Sequence, residues 1–222
     1  MHQVRPAAVA GAFYPGEALL LSRTVKGLLE ACSPAAPAAQ PPKALIVPHA
    51  GYVYSGSTAA QAYALLAPWR QTIRRVVLLG PVHRVAVRGL ALPGVDAMAT
   101  PLGEVRLDPV AADALRGLPQ VVTSGAAHAQ EHSLEVQLPF LQLVLEAFTL
   151  VPLAVGDATP DEVCEALEAV WGGPETLFVI SSDLSHFLGH AQAQAVDRQS
   201  VQTLLALQPT LGHRQACGAT PI

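Results

Sequence analysis

ALIVPHAGYVYSG, residues 44–56, opens with four apolar residues, stops at a proline and turns polar around a histidine and a glycine. An uninterrupted apolar run of this length describes a strand covered on both faces. The pattern recurs in VVLLGPVHR (76–84) and LFVISSDLSH (177–186). His49, His83 and His186 therefore stand just past the C-terminal ends of three predicted buried strands. That edge is where open α/β sheets bind ligands. Histidines brought to it by separate strands can converge on one metal ion or substrate.

Working outward, the periodicity predicts helices over 17–31, about 57–67, 109–117, about 133–147, 160–170 and about 190–207, with another strand at 149–155. The Pro- and Ala-rich stretch 33–42 reads as a surface connection. Section 85–107 holds short β-like pieces, VAVRGLAL and GEVRL, broken by Pro and Gly. Short apolar runs alternating with helical patterns predict one α/β domain over residues 1–222, a mostly parallel sheet flanked by helices.

Composition agrees with a packed interior: of 222 residues, 51% are hydrophobic and 14% charged, which excludes disorder. A net charge of −4 leaves no electrostatic footprint for nucleic acid or an anionic membrane. The apolar runs are too short to span a bilayer. MHQVRPAAVAGAFYPGE lacks a basic segment followed by an apolar signal core, so a cytoplasmic location is expected. Cys32, Cys164 and Cys217 are few and far apart, which predicts reduced thiols rather than a disulfide framework. Cys164 is expected to face the core of an amphipathic helix, while Cys217 lies in a short polar stretch.

The loops carry the chemistry. After His49, Gly51 allows a tight turn, and Ser55 or Ser57 could cap the following helix. Tyr52 and Tyr54 could line a pocket there or serve as packing, and Arg84 beside His83 could bind an anionic group or stay solvated. In SSDLSH, Asp183 and His186 could start the next helix, or Asp183 could accept a hydrogen bond from a ligand histidine. A fourth segment, HAQEHSLEVQLPFLQLVLEAF, adds His128, Glu131, His132 and Glu135, with Ser133 as a candidate N-cap. Pro139 should kink this helix or move its start toward 137. The segment is not HExxH, since no second histidine follows His132 by four. Glu131 and His132 are candidates for orienting a ligand or moving a proton, with helix capping and solvent exposure the competing reading.

The ordered set RPAAVAGAFYPGE (5–17), PHAGYVYSG (48–56), GPVH (80–83), TPLGEVRLD (100–108), EHSLEVQLPFLQ (131–142), SSDLSH (181–186) and the late CG at 217–218 resembles the Memo family. Its prokaryotic members are known as AmmeMemoRadiSam system protein B. The resemblance implies a fold related to class III extradiol dioxygenases with a metal pocket at the equivalent place. It also implies His49, His83 and Cys217 as the metal-binding set, with Asp183 and His186 lining the same pocket. Iron or copper in a redox role is the implied cofactor, and an AMMECR-type and a radical SAM protein are the implied pathway neighbours. Members of the family continue for several tens of residues beyond the CG motif, so a chain ending at Ile222 is expected to lack their C-terminal portion.

Coordination chemistry narrows the options. Two imidazoles and a carboxylate suit Fe(II) and oxygen, whereas a thiolate is softer and favours copper or zinc. Three functions follow. One is a metal-dependent oxidoreductase, with His186, His132 and Asp183 moving protons. Another is a scaffold that holds a metal, a small molecule or a peptide without turnover. The last is a hydrolase in which zinc activates water.

Overall fold

The computed structural model describes residues 2–32, 39–208, 211–220 and 222. In chain order the elements are β1 (Val4–Arg5), α1 (Ala18–Glu30), β2 (Ala44–Val47), α2 (Tyr52–Ala64) and β3 (Arg75–Pro81). Then come β4 (Leu90–Leu92), β5 (Ala97–Thr100), β6 (Gly103–Arg106), α3 (Pro109–Arg116), β7 (Val121–Thr123) and α4 (Gly125–Ala129). The chain continues with α5 (Leu138–Val144), β8 (Thr149–Val155), α6 (Pro160–Ala169), β9 (Thr176–Ser181) and α7 (His190–Leu205). Short 3-10 turns cover Ala67–Trp69 and Glu135–Gln137.

The main sheet has six strands in the order β2-β9-β3-β8-β4-β7. The first four run parallel, β4 runs antiparallel to β8, and β7 is parallel to β4. Strand position explains residue choice. Central β9 buries all six residues and β3 its five inner ones, so Leu177–Ile180 and Val76–Leu79 are unbroken apolar runs. Edge strand β2 alternates, with Leu45 and Val47 buried and Ile46 partly exposed. A smaller sheet, β1-β5-β6, joins the main one through a bridge from Leu107 to Leu150.

Alternate residues of β3 feed two separate cores. Val76 and Leu78 meet α1, α2 and α5 through Leu21, Val25, Tyr63 and Phe140. Val77 and Leu79 meet α3 and α6 through Leu115, Val163 and Ala166. Phe140 is fully buried and stacked on Tyr63 at 5.0 Å, so its truncation to alanine should cost about 3–5 kcal/mol. The expected α/β architecture with helices on both faces is therefore the one observed. No helix among the described residues is long and apolar enough to cross a membrane.

Several local expectations differ. Helix α2 starts at Tyr52 with Gly51 as N-cap, and neither Ser55 nor Ser57 caps it. The Tyr52 N–H donates instead to the carbonyl of distant Phe13 at 2.8 Å, so a tertiary partner replaces a local cap. The helix expected over 133–147 splits into the 3-10 turn and α5, which places Pro139 in its first turn, where a missing N–H costs nothing. Ser133 caps no helix; its hydroxyl donates to the Pro81 carbonyl at 2.9 Å. Asp183 and His186 do not start α7, whose N-cap is Gly189. Cys164 is exposed because α6 turns Val163 and Ala166 inward, leaving their neighbour on another face. Strands β1 and β7 and the five-residue α4 are too short to carry a periodic signal. Of the expected connection at 33–42, residues 33–38 lie outside the described residues.

Candidate metal centre

His49 follows β2 and is 2% exposed. Its N–H donates to Asp183 Oδ1 at 2.7 Å, and its Nδ1 lies 3.0 Å from Ser181 Oγ. The single hydroxyl proton of Ser181 goes to the Ser133 carbonyl at 2.6 Å, and Gln137 Nε2 donates to the same oxygen at 2.8 Å. Ser181 can therefore only accept from His49, which puts a proton on Nδ1 and turns Nε2 toward Cys217. Gln137 is itself fixed by the Tyr63 hydroxyl and the Pro48 carbonyl.

His83 follows β3. Its N–H donates to Glu131 Oε2 at 2.6 Å, and its Nδ1 lies 2.9 Å from Glu131 Oε1, again turning Nε2 outward. His132 donates its own N–H to Glu131 Oε1 at 2.9 Å, and its Nδ1 is 3.3 Å from the same oxygen. The His83 and His132 rings stack at 4.5 Å, and His49 meets both edge-on at 5.3 and 5.5 Å. One nitrogen from each of the three rings lies within 4.8 Å of the other two. The approach of the His132 loop to β3 needs Gly80, where a Cβ would come within 2.9 Å of Ser133 Oγ.

Glu131 is the hub. It is 2% exposed, and its two oxygens accept from the His83 N–H, the His83 ring, the His132 N–H and the Ser133 N–H. Burial alone would raise its pKa, but the His83 ring and these backbone donors hold it down at about 2. A buried carboxylate behind an imidazole is the arrangement that orients histidine ligands and raises their basicity.

Cys217 comes to the open side of this group. Its Sγ lies 3.2 Å from His49 Nε2 and accepts the Asp183 N–H at 3.2 Å. Burial pushes the thiol up, but His49 and His83 outweigh it and bring the pKa to about 6. Reciprocally, Cys217 and then Glu131 push His83 up to about 9. The two shifts run in the direction that favours a thiolate–imidazolium pair over a neutral thiol and imidazole. His132 goes the other way: burial lowers it to about 4 and keeps its ring neutral.

The other sequence candidates lie around or away from this group. Asp183 Oδ2 is 3.8 Å from His49 Nε2 and 3.9 Å from His186 Nε2, so Asp183 lines the centre and His186 stands at its rim, 44% exposed. Tyr52 is buried and donates to the Val136 carbonyl at 2.7 Å, while Tyr54 and Arg84 are exposed. His128 is turned away, bonded to the Ala91 carbonyl at 2.7 Å and held at about 4 by burial. Ser181, Gln137 and Phe13 were not singled out from sequence. Phe13 packs its ring 4.6 Å from His132. All three lie inside stretches that carry the family resemblance, Phe13 in RPAAVAGAFYPGE, Gln137 in EHSLEVQLPFLQ and Ser181 in SSDLSH, and that was their one signal.

The donor set fits a transition metal. Three imidazoles share one small volume, each with Nδ1 bonded to or facing an oxygen partner, and a thiolate-forming cysteine lies beside them.

Residues 5–215 match the Memo-like protein family. The chain is 35% identical over 224 residues to a MEMO1 family protein of Ignicoccus hospitalis, covering 93% of this chain and 77% of that one. To a MEMO1 family protein of Aquifex aeolicus it is 36% identical over 199 residues, 88% of this chain and 72% of the relative. To the protein MEMO1 of Xenopus tropicalis it is 36% identical over 191 residues, 82% and 63% of the two chains.

Proposed function

This chain belongs to the Memo family, and from that premise we propose that it binds iron or copper and uses the ion in redox chemistry. His49, His83 and His132 form the seat of the ion, and Cys217 supplies a thiolate on its open side. The observation that carries the reading is Glu131, a buried anion whose carboxylate hydrogen bonds, among the described residues, all go to the two histidine-bearing loops it holds together. A carboxylate is rarely buried without such a task.

A bound iron or copper ion would supply one-electron chemistry and open coordination positions for a small molecule or peptide. The chain's own residues do the rest. Glu131 and Ser181 orient His83 and His49 so that Nε2 faces inward. His132, neutral at physiological pH, has a lone pair ready to ligate or to accept a proton. Asp183 and His186, between the centre and solvent, are placed to pass protons in and out. Ion binding must displace the proton that His83 carries at pH 7.

Anaerobic titration of the apo-protein with Fe(II), Cu(I) and Zn(II), run beside His132→Ala and Cys217→Ser, tests the assignment. Tight one-to-one binding of iron or copper that weakens in His132→Ala supports it, and oxygen uptake by the loaded protein extends it to redox turnover. Absence of binding overturns it. Tight binding with no oxygen uptake leaves a metal-holding scaffold, and a preference for zinc with no redox response turns the reading to hydrolysis.

A further inference from the structure

A second buried carboxylate stands four residues beyond Glu131, and the metal-centre reading makes no use of it. Glu135 is fully buried. Its Oε1 accepts from the Val9 N–H at 3.0 Å and the Tyr14 hydroxyl at 2.5 Å; its Oε2 accepts from the Ala8 N–H at 2.8 Å and from Arg5 Nη1. Arg5, 5% exposed, directs its remaining donors elsewhere: Nε to the His128 carbonyl at 2.9 Å and Nη2 to the Glu131 carbonyl at 2.8 Å. One planar guanidinium thus grips three points of the loop that presents Glu131 and His132.

The same network delivers Phe13. Its N–H donates to Val9, which Glu135 holds, and its carbonyl accepts from Tyr52 at the start of α2. With the backbone fixed at both ends, the ring packs on His132 at 4.6 Å. A staple that served stability alone would have no reason to end on the backbone of Glu131 and the ring of His132.

We infer that the N-terminal segment Arg5–Gly16 is a built part of the histidine centre, with Arg5 as a positioning residue for Glu131 and His132 and Phe13 as the wall that limits access on the His132 side. The inference rests on the metal-centre reading for its consequences but concerns ring geometry that exists without metal.

Arg5→Lys is the discriminating variant. It keeps a cation for Glu135 but cannot reproduce the fork to the two carbonyls. Ring 15N–1H correlation spectra of the metal-free full chain should show the His132 signals displaced in Arg5→Lys, and by more than those of Ser181-bound His49. Co(II) titration should show affinity about 10-fold weaker in Arg5→Lys, the range for groups that orient ligands, together with an altered d–d absorption band. Phe13→Ala should let a bulky chelator strip Co(II) faster, and Phe13→Leu should restore the slow rate. A lowered unfolding temperature in Arg5→Lys with wild-type His132 signals would overturn the inference and leave Arg5 as a fold staple. Should the wild type take no Co(II), the metal reading is decided by the Fe(II) and Cu(I) titration, and the His132 signals still decide the role of Arg5.

Discussion

The centre is reached by two stretches held in opposite ways. The stretch from Glu131 to Gln137 is built into the core: Glu131, Ser133, Glu135 and Gln137 are each at most 2% exposed, and each is hydrogen-bonded to a distant segment. The chain after Ser181 is hung from the surface. Helix α7 buries only Ser200 among its sixteen residues, and Phe187 is fully exposed with φ +59°. Cys217 is brought in by its own N–H to the Asp183 carbonyl at 3.2 Å and by the Gly218 N–H to Ser182 Oγ at 3.0 Å. That contact requires Gly218, where a Cβ would lie 2.6 Å from Ser182 Cβ. The difference teaches that the histidine cluster is tied into the core by buried hydrogen bonds, whereas the Cys217 stretch rests on a few contacts to the Ser182–Asp183 backbone and side chain.

The comparison can be broken or sharpened by experiment. His49→Ala should weaken Zn(II) or Fe(II) binding by at least about 100-fold, beyond the range for orienting groups, as measured by competition with a chelator. Glu131→Gln comes next, at about 10–100-fold, because it loses the charge that orients His83. The pH response follows. His83 must be neutral to ligate, and in the metal-free protein it stays protonated up to about 9. Affinity should therefore rise about tenfold per pH unit between 7 and 9, and fall faster below about 6, where Cys217 also takes up a proton. Calorimetry in buffers of different ionisation enthalpy would count the protons released.

Cys217→Ser should cost less than about tenfold for Zn(II), since the variant loses a donor but also the thiolate that keeps His83 protonated. A loss equal to that of His49→Ala would move the weight of the centre onto the C-terminal stretch. The smallest effect is expected at α7, where Leu205→Ala should stay within about 0.5 kcal/mol in urea unfolding, against several for Phe140→Ala. A larger change would mean that α7 is covered in solution.

Much of this was legible beforehand. The strands carrying His83 and Asp183 announce themselves because their inner residues, covered on both faces, are apolar; β2, expected to be buried in the same way, is instead an edge strand with Ile46 exposed. Pro139 marked the late start of α5 for an equally local reason, the missing N–H. The start of α2 was missed because its orphan donor is satisfied by Phe13, thirty-nine residues earlier in the chain. Glu131 and His132 were visible as candidates, yet neither the grip of Glu131 on His83 nor the stacking of His132 against it follows from spacing.

Local pattern is enough for the α/β class, for the edge at which three loops gather and for the residue types that meet there, because hydrophobic burial and turn chemistry act over a few neighbouring residues. Orientation is another matter. Ser181 sets the His49 ring across 132 residues, Glu131 sets His83 across 48, and Arg5 reaches Glu135 across 130. A hydrogen bond between such distant groups imposes no periodicity on the chain between them. It exists only once the sheet and its two cores have brought the partners together.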